Sequence, residues 1–239
     1  MAGSPSARLP FRDRQEAGRA LAELVEGQIG RESDAIVAAL PRGGVPVAFE
    51  VARVLGAPLD VVVVRKLGVP SQPELAMGAI GEDGVRVLNP EVIGHLGITE
   101  RAIERVEERE RAELERRAAV FRRGAPMLPL EGRTAIVVDD GLATGSTARA
   151  AMQVARAHGA RRVVLAVPVA PVETLDELAV VADAVVAVAS PYPFVAIGQW
   201  YTDFRQTSDD EVSRLLAEAR ADRSPPGADD GDRADDRQP

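Results

Sequence analysis

The sequence predicts an α/β fold, a parallel sheet flanked by helices. Three observations predict it. Short β-branched runs alternate with stretches of helical periodicity along most of the chain. Those runs are apolar on consecutive residues rather than on every second one, the mark of strands buried on both faces. Helix starts with Ser, Thr or Asp caps, and glycine stops, separate them. Strands alternating with helices in this way form one sheet covered on both sides.

In chain order, Met1–Pro10 is a loose leader without an apolar signal core. Asp13 and Glu16 make a capping-box-like start. Ala17, Leu21, Leu24 and Val25 then mark an amphipathic helix to about Gln28. Ala35–Leu40 is a short apolar strand, broken by Pro41-Arg42-Gly43-Gly44. Val45, Ala48, Ala52 and Leu55 form the next helical face, closed by Gly56. Leu59–Val64 reads as a second buried strand ending in Arg65-Lys66. Leu67–Ala76, rich in Pro and Ser, reads as a mobile loop. Met77–Ile80 and Val85–Leu88 flank Gly81–Gly84 and suggest a hairpin.

Thr99 caps a long helix, very rich in Glu and Arg, that runs to about Phe121. Its Glu107–Arg111 and Glu113–Arg117 spacings favour ion pairs along the helix. A solvated face explains them, and a homodimer contact stays open. Thr134–Val138 is a buried strand, and Ala148–Ala157 a helix stopped by Gly159. Arg162–Val167 is a strand, and Pro171–Val180 a helix with Val172, Leu175 and Leu178 inward. Ala184–Val188 is a further strand. Ser190–Thr207 holds five of the eight aromatics: Tyr192, Phe194, Trp200, Tyr201 and Phe204. Ser208 and Glu211 cap a last helix with Val212, Leu215 and Leu216 on its inner face. From about Asp222 the chain is Asp, Arg, Pro and Gly, a disordered composition. The division is thus a leader (1–10), one domain (11–221) and an acidic tail (222–239).

Composition narrows the chemistry. The chain has 239 residues, net charge −8 and a pI near 5.0, which argues against binding along a nucleic-acid backbone. It has no cysteine, so disulfides, thiolate metal sites and thiol nucleophiles are excluded. It has two histidines, His95 and His158, too few for a multi-His metal site. No apolar run approaches a membrane span, so the expectation is a soluble, cytoplasmic protein that meets no membrane.

The chemistry concentrates after the Thr134–Val138 strand. Asp139 and Asp140 stand at its end, followed by a small-residue turn, Gly141–Thr147, and then a helix. Free N–H groups in such a turn and the helix dipole favour an anion. There is no Lys in the turn, so it is not a Walker loop, and it lacks the G-x-G-x-x-G of a dinucleotide site. Ionised carboxylates are pure acceptors and suit vicinal hydroxyls. Phosphate on the turn and a diol on the acids together describe a ribose 5-phosphate.

Val137–Thr147 resembles, position by position, the signature of the type I phosphoribosyltransferases: an apolar strand, two acidic residues, then x-x-x-T-G-x-T. Tyr-Pro-Phe, Gly-Gln-Trp-Tyr and Asp-Phe-Arg-Gln-Thr-Ser-Asp within Ser190–Asp209 resemble a bacterial branch of predicted members. The resemblance implies a type I phosphoribosyltransferase-like sheet with a small hood, formed by Leu67–Leu88 and Ser190–Thr207. It implies transfer of a 5-phosphoribosyl group from 5-phosphoribosyl 1-diphosphate to a nitrogen acceptor, a nucleobase, with release of pyrophosphate. Asp139 and Asp140 would hold the ribose hydroxyls and act catalytically. Gly141, Leu142, Ala143, Thr144, Gly145, Ser146 and Thr147 would wrap the 5-phosphate. Arg42, Gly43, Gly44 and Lys66 would hold the pyrophosphate, with a cis non-proline peptide near Arg42. For Arg42-Gly43-Gly44 an ordinary tight turn, and for Lys66 a charged strand end reaching water, are the plain alternatives. Mg²⁺ would arrive on the diphosphate, with no metal cage in the protein.

Tyr192, Phe194 and Trp200 could stack on a base or cover the core, and the residues leave both open. Purine-salvage members carry an acidic residue three after the second acid; here Ala143 stands there, so acid or base help must come from elsewhere. His95 and His158 are weak candidates for it. That substitution also suits a regulator that binds the same donor, or a nucleotide, without turnover.

Overall fold

The computed structural model describes residues 8–32 and 34–222, so the first seven residues of the leader and all of the tail but Asp222 lie outside the described residues. Five parallel strands form the central sheet: β1 (Ala35–Ala39), β2 (Leu59–Val61), β6 (Thr134–Val138), β7 (Arg162–Val169) and β8 (Ala184–Ala189), in the order β2-β1-β6-β7-β8. The sequence-predicted parallel α/β class is therefore the observed one. Side chains alternate across the sheet as the pleat requires. Val37, Ile136, Val138 and Val164 face one core, shared with helices α1 (Arg14–Ile29), α2 (Gly44–Leu55) and α7 (Asp209–Ala221). Ile36, Val137, Val163 and Leu165 face the other, covered by α5 (Ser146–Ala157) and α6 (Val172–Ala179).

Between β2 and β6 the chain leaves the sheet. β3 (Arg65–Val69), β4 (Gln72–Ile80) and β5 (Arg86–Leu88) form a separate antiparallel sheet, the hood. Then come α3 (Pro90–Leu96) and the long α4 (Glu100–Arg122). Three sequence expectations fail here. Leu67–Ala76 is not a loop: Pro70 and Ser71, read as breakers, make the two-residue turn between β3 and β4. Pro73 is tolerated inside β4 because β5 pairs only with its far end, from Gly78 to Ile80, and needs no N–H from Pro73. The second central strand stops at Val61, so Arg65 and Lys66 open the hood rather than close the sheet. Third, Ser190–Thr207 does not join the hood. Four of its five aromatics, Phe194, Trp200, Tyr201 and Phe204, pack with Phe11, Ala17 and Val169 in a cluster of their own.

A smaller difference lies in α6. Eight residues bury one narrow stripe, Thr174 and Leu178, four apart; Val172 falls on the other side and is 52% exposed. On α4 the pair Glu107–Arg111 forms, and Arg117 Nε bonds Glu113 at 2.6 Å. Its last residue, Arg122, is buried. Its Nε meets Asp60 of β2 at 2.8 Å, its Nη2 donates to the Val61 carbonyl at 2.6 Å, and its Nη1 pairs with Glu82 in the β4–β5 turn. This cluster ties the root of the hood to the sheet. Among the described residues no helix is long and apolar enough to cross a membrane.

Candidate functional site

The strand order reverses direction between β1 and β6. The chain runs from β1 outward to β2, then returns to lay β6 on the other side of β1. In open α/β sheets ligands bind at such a switch, beyond the carboxyl ends of the strands. Two turns occupy it. Residues 41–44 follow β1, and residues 139–145 follow β6. They are drawn together by the Leu40 N–H, which donates to the Val138 carbonyl at 2.8 Å.

The first turn presses on the second. The Pro41–Arg42 peptide is cis, as the resemblance led one to expect. A β-carbon on Gly43 would collide with the Asp140 carboxylate, and one on Gly44 would lie 2.6 Å from the Val138 carbonyl oxygen. Glycine is therefore required at both by close approach, whatever its backbone angles. Arg42 reaches away toward Asp209 at the start of α7, 3.4 Å distant.

Asp139 and Asp140 sit in the step between the turns. Asp139 Oδ1 accepts the Asp140 N–H at 2.9 Å. Asp140 is 8% exposed, and its Oδ2 accepts from Arg14 Nε at 2.7 Å. Burial and the adjacent Asp140 charge push the Asp139 carboxyl well above the usual carboxylate range. Burial raises Asp140 as well, against the pull of Arg14. The pair thus resists carrying two negative charges at once.

The Gly141–Thr147 turn carries the anion-binding features. Leu142 anchors it by donating its N–H to the Val169 carbonyl at 2.9 Å, and Leu142 is buried. Gly145 caps α5 with φ +66°, a left-handed geometry that favours glycine, and Leu178 and Thr174 close the space a side chain would need. Ala143, Thr144, Ser146 and Thr147 are exposed. The N–H groups of Ala143, Thr144 and Gly145 meet no acceptor among the described residues, and those of Ser146 and Thr147 open α5, where helical partners are lacking. The Thr144 hydroxyl lies 3.3 Å from that of Ser146. Free N–H groups, three hydroxyls and a helix start converge there, the elements of an anion cradle.

A cavity of about 560 Å³ opens between this cradle, Pro41 and the hood, and Lys66 lines it with Ser146 and Thr147. Lys66 Nζ is held loosely, 3.1 Å from the Glu74 carbonyl. A second cavity of about 630 Å³ lies on the other side of Lys66, between β4, Thr144 and Arg149. So the structure brings Gly43, Gly44, Asp139, Asp140 and the 141–147 turn together, and sets Lys66 across a cavity from Pro41, Ser146 and Thr147. His95 on α3 and His158 at the end of α5 line neither cavity.

The aromatic block divides. Tyr192 is 92% exposed, while Phe194 and Trp200, their rings 6.0 Å apart, pack on the Phe11–Val169 cluster. The two aromatics that reach the acidic step are ones sequence reasoning left out of the site. The Tyr201 hydroxyl donates to the Asp140 carbonyl at 2.5 Å, and Phe204 lies under the Arg14 guanidinium at 4.0 Å. Arg14 was also missed. Its sequence signal was a cation in the first turn of a helix, where the dipole disfavours one. Among the described residues no group of three or more His, Cys, Asp or Glu could hold a metal ion.

The chain is similar to known proteins. A family model described as a phosphoribosyl transferase domain matches residues 13–181. Two Mycobacterium tuberculosis proteins, from strains H37Rv and CDC 1551, bear phosphoribosyl transferase as a provisional name; each is 56% identical over 218 residues, 91% of this chain. The chain spans about half the length of these curated relatives, 49%. The crystal structure of TT1426 from Thermus thermophilus superposes with a TM-score of 0.81 at 46% identity, covering 87% of this chain and 98% of that one.

Proposed function

The chain belongs to the phosphoribosyl transferase family, and on that premise we propose that it moves a 5-phosphoribosyl group from 5-phosphoribosyl 1-diphosphate to a nitrogen acceptor, releasing pyrophosphate. The observation that carries the reading is the meeting of two turns at the switch between β1 and β6. One is an anion cradle with three exposed hydroxyls, and the other packs glycine directly on a pair of acids.

In this reading the 5-phosphate rests on the N–H groups and hydroxyls of residues 143–147. Asp139 and Asp140 accept from the ribose hydroxyls. The bond from C1 to the pyrophosphate oxygen breaks, its electron pair leaves with pyrophosphate, and the sugar becomes cationic. Carboxylates held beside it favour that charge where it develops. The acceptor nitrogen then closes on C1 and afterwards sheds its proton. Residues 41–44 and Lys66 face the leaving group, and Mg²⁺ bound to the diphosphate would offset its charge through hard oxygen contacts. A nucleobase is the acceptor this supports best, since its ring nitrogens are nucleophiles of that kind.

Ala143 favours a second reading, a regulator that binds the donor or a nucleotide without turnover. No carboxylate stands where purine-salvage members place one, and the Ala143 carbonyl is already taken by the Thr174 hydroxyl at 2.8 Å. Calorimetry with 5-phosphoribosyl 1-diphosphate and Mg²⁺, followed by pyrophosphate release with a panel of nucleobases, tests both. Binding with release supports transfer, and binding without release on any acceptor supports the regulator. The absence of binding to the diphosphate and to any nucleotide overturns both. The double variant Asp139→Asn, Asp140→Asn is expected to lose most turnover, by a factor of about 10² or more, while its circular dichroism stays that of the wild type.

A further inference from the structure

Arg14 begins α1, 126 residues away in sequence from the acid it touches. Three contacts hold its guanidinium at once. Nε donates to Asp140 Oδ2 at 2.7 Å, Nη1 donates to the Arg205 carbonyl at 2.7 Å, and Cζ stacks over the Phe204 ring at 4.0 Å. Both side chains of the pair are 11% exposed, so water screens it little. Asp140 is fixed from two more directions. Tyr201 binds its carbonyl, and the bare Cα of Gly43 lies against its carboxylate. Its other oxygen, Oδ1, receives no N–H or hydroxyl donor among the described residues, and the Asp139 carboxyl is its neighbour, within reach of a shared proton. Arg14 is the one cation paired with either acid among the described residues.

We infer that Arg14 is a positioning residue of the diol site: it grips one oxygen of Asp140 and so presents the other, beside Asp139, to the vicinal hydroxyls of a phosphorylated ribose. This rests on the reading of the acids given above. A planar fork is needed, because one arm must hold the acid while another holds the Arg205 carbonyl and the face rests on Phe204. A lysine ammonium keeps the charge and loses that arrangement. A tie that served only to dock α1 on the sheet would affect stability and leave ligand choice alone.

The test uses ribose 5-phosphate and 2-deoxyribose 5-phosphate, which share the phosphate and differ in the diol. Affinities are measured by calorimetry for the wild type, Arg14→Met and Arg14→Lys. The wild type is expected to prefer the ribose form by about tenfold or more, the worth of one charge-assisted hydrogen bond. In Arg14→Met the preference collapses to near one while the deoxy affinity holds. In Arg14→Lys it falls severalfold. A folded Arg14→Met that keeps the full preference overturns the positioning role. Should Arg14→Met not fold, Arg14→Lys decides, and an undiminished preference there overturns it. If the wild type binds the two sugars equally, the diol reading of the acids fails first and this role with it.

Discussion

The turn at residues 41–44 has two neighbours, built in opposite ways. On one side the Asp139–Asp140 step is held by an N–H, a guanidinium, a phenol and two glycines, most of them buried. On the other, across the cavity, Lys66 has one carbonyl and a 3.5 Å approach to a Glu74 carboxylate that is 97% exposed. Charge that must stay in place at low exposure needs its partners in advance, because no water will reorganise around it. Charge that meets a mobile, highly charged ligand can be left to the solvent until the ligand arrives. In the proposed function the first side fixes geometry and the second supplies attraction.

Three substitutions sharpen that contrast. Gly43→Ala strikes the rigid side, where a β-carbon has no space beside Asp140. Overpacking of this kind costs about 1–3 kcal/mol, read as a lower urea midpoint, and binding of 5-phosphoribosyl 1-diphosphate should fall below detection in calorimetry. A variant as stable and as tight-binding as the wild type would show that the step yields easily. Asp139→Asn has a smaller effect, of opposite sign on stability. The folded chain raises the Asp139 carboxyl above its unfolded value, so the folded state holds that proton to higher pH. Such a group favours folding at low pH, and the advantage drains away as pH rises through the folded-state value. The amide avoids that loss and can still accept the Asp140 N–H. At pH 7 it should melt about 2–4 °C higher, the equivalent of roughly 1 kcal/mol. The gap should close toward pH 4, near where free carboxylates titrate, about 3.9. A melting point lowered at pH 7 would contradict the direction assigned to Asp139. Lys66→Ala belongs to the loose side and changes stability by under about 0.5 kcal/mol. Donor affinity should drop severalfold at low salt and less at 1 M salt, where screening already mutes the charge. Equal affinities at both salts would remove Lys66 from the site.

What the sequence disclosed follows the same division. Thr134–Val138 was legible to the residue, because a strand buried on both faces writes itself as a continuous apolar run. The two acids and the small-residue turn after it were legible because local chemistry alone defines them. The hood was half legible. The Gly81–Gly84 turn was read as a hairpin, while Pro70-Ser71 was read as part of a mobile loop, since the same residue types serve both. α3 carried its signals too, with Asn89 as cap, Pro90 behind it and Gly97 in the left-handed region. At seven residues it is too short to show a period. Tyr201 could not be found from pattern, and Arg14 had only its odd place in a first turn to mark it, since each makes its contact only when distant segments meet. Of the aromatics singled out for a base, Phe194 and Trp200 pack on a cluster of their own.

The buried Arg122 cluster has a mechanical consequence. Asp60 on the sheet and Glu82 in the hood share one guanidinium, so lifting the root of the hood would strand charges away from water. The far end, at Pro70-Ser71, is exposed and carries no such rivet among the described contacts. The hood is a cantilever, clamped at the sheet and free at its tip. The free tip borders the cavity beneath the hood, where Pro70 is part of its lining.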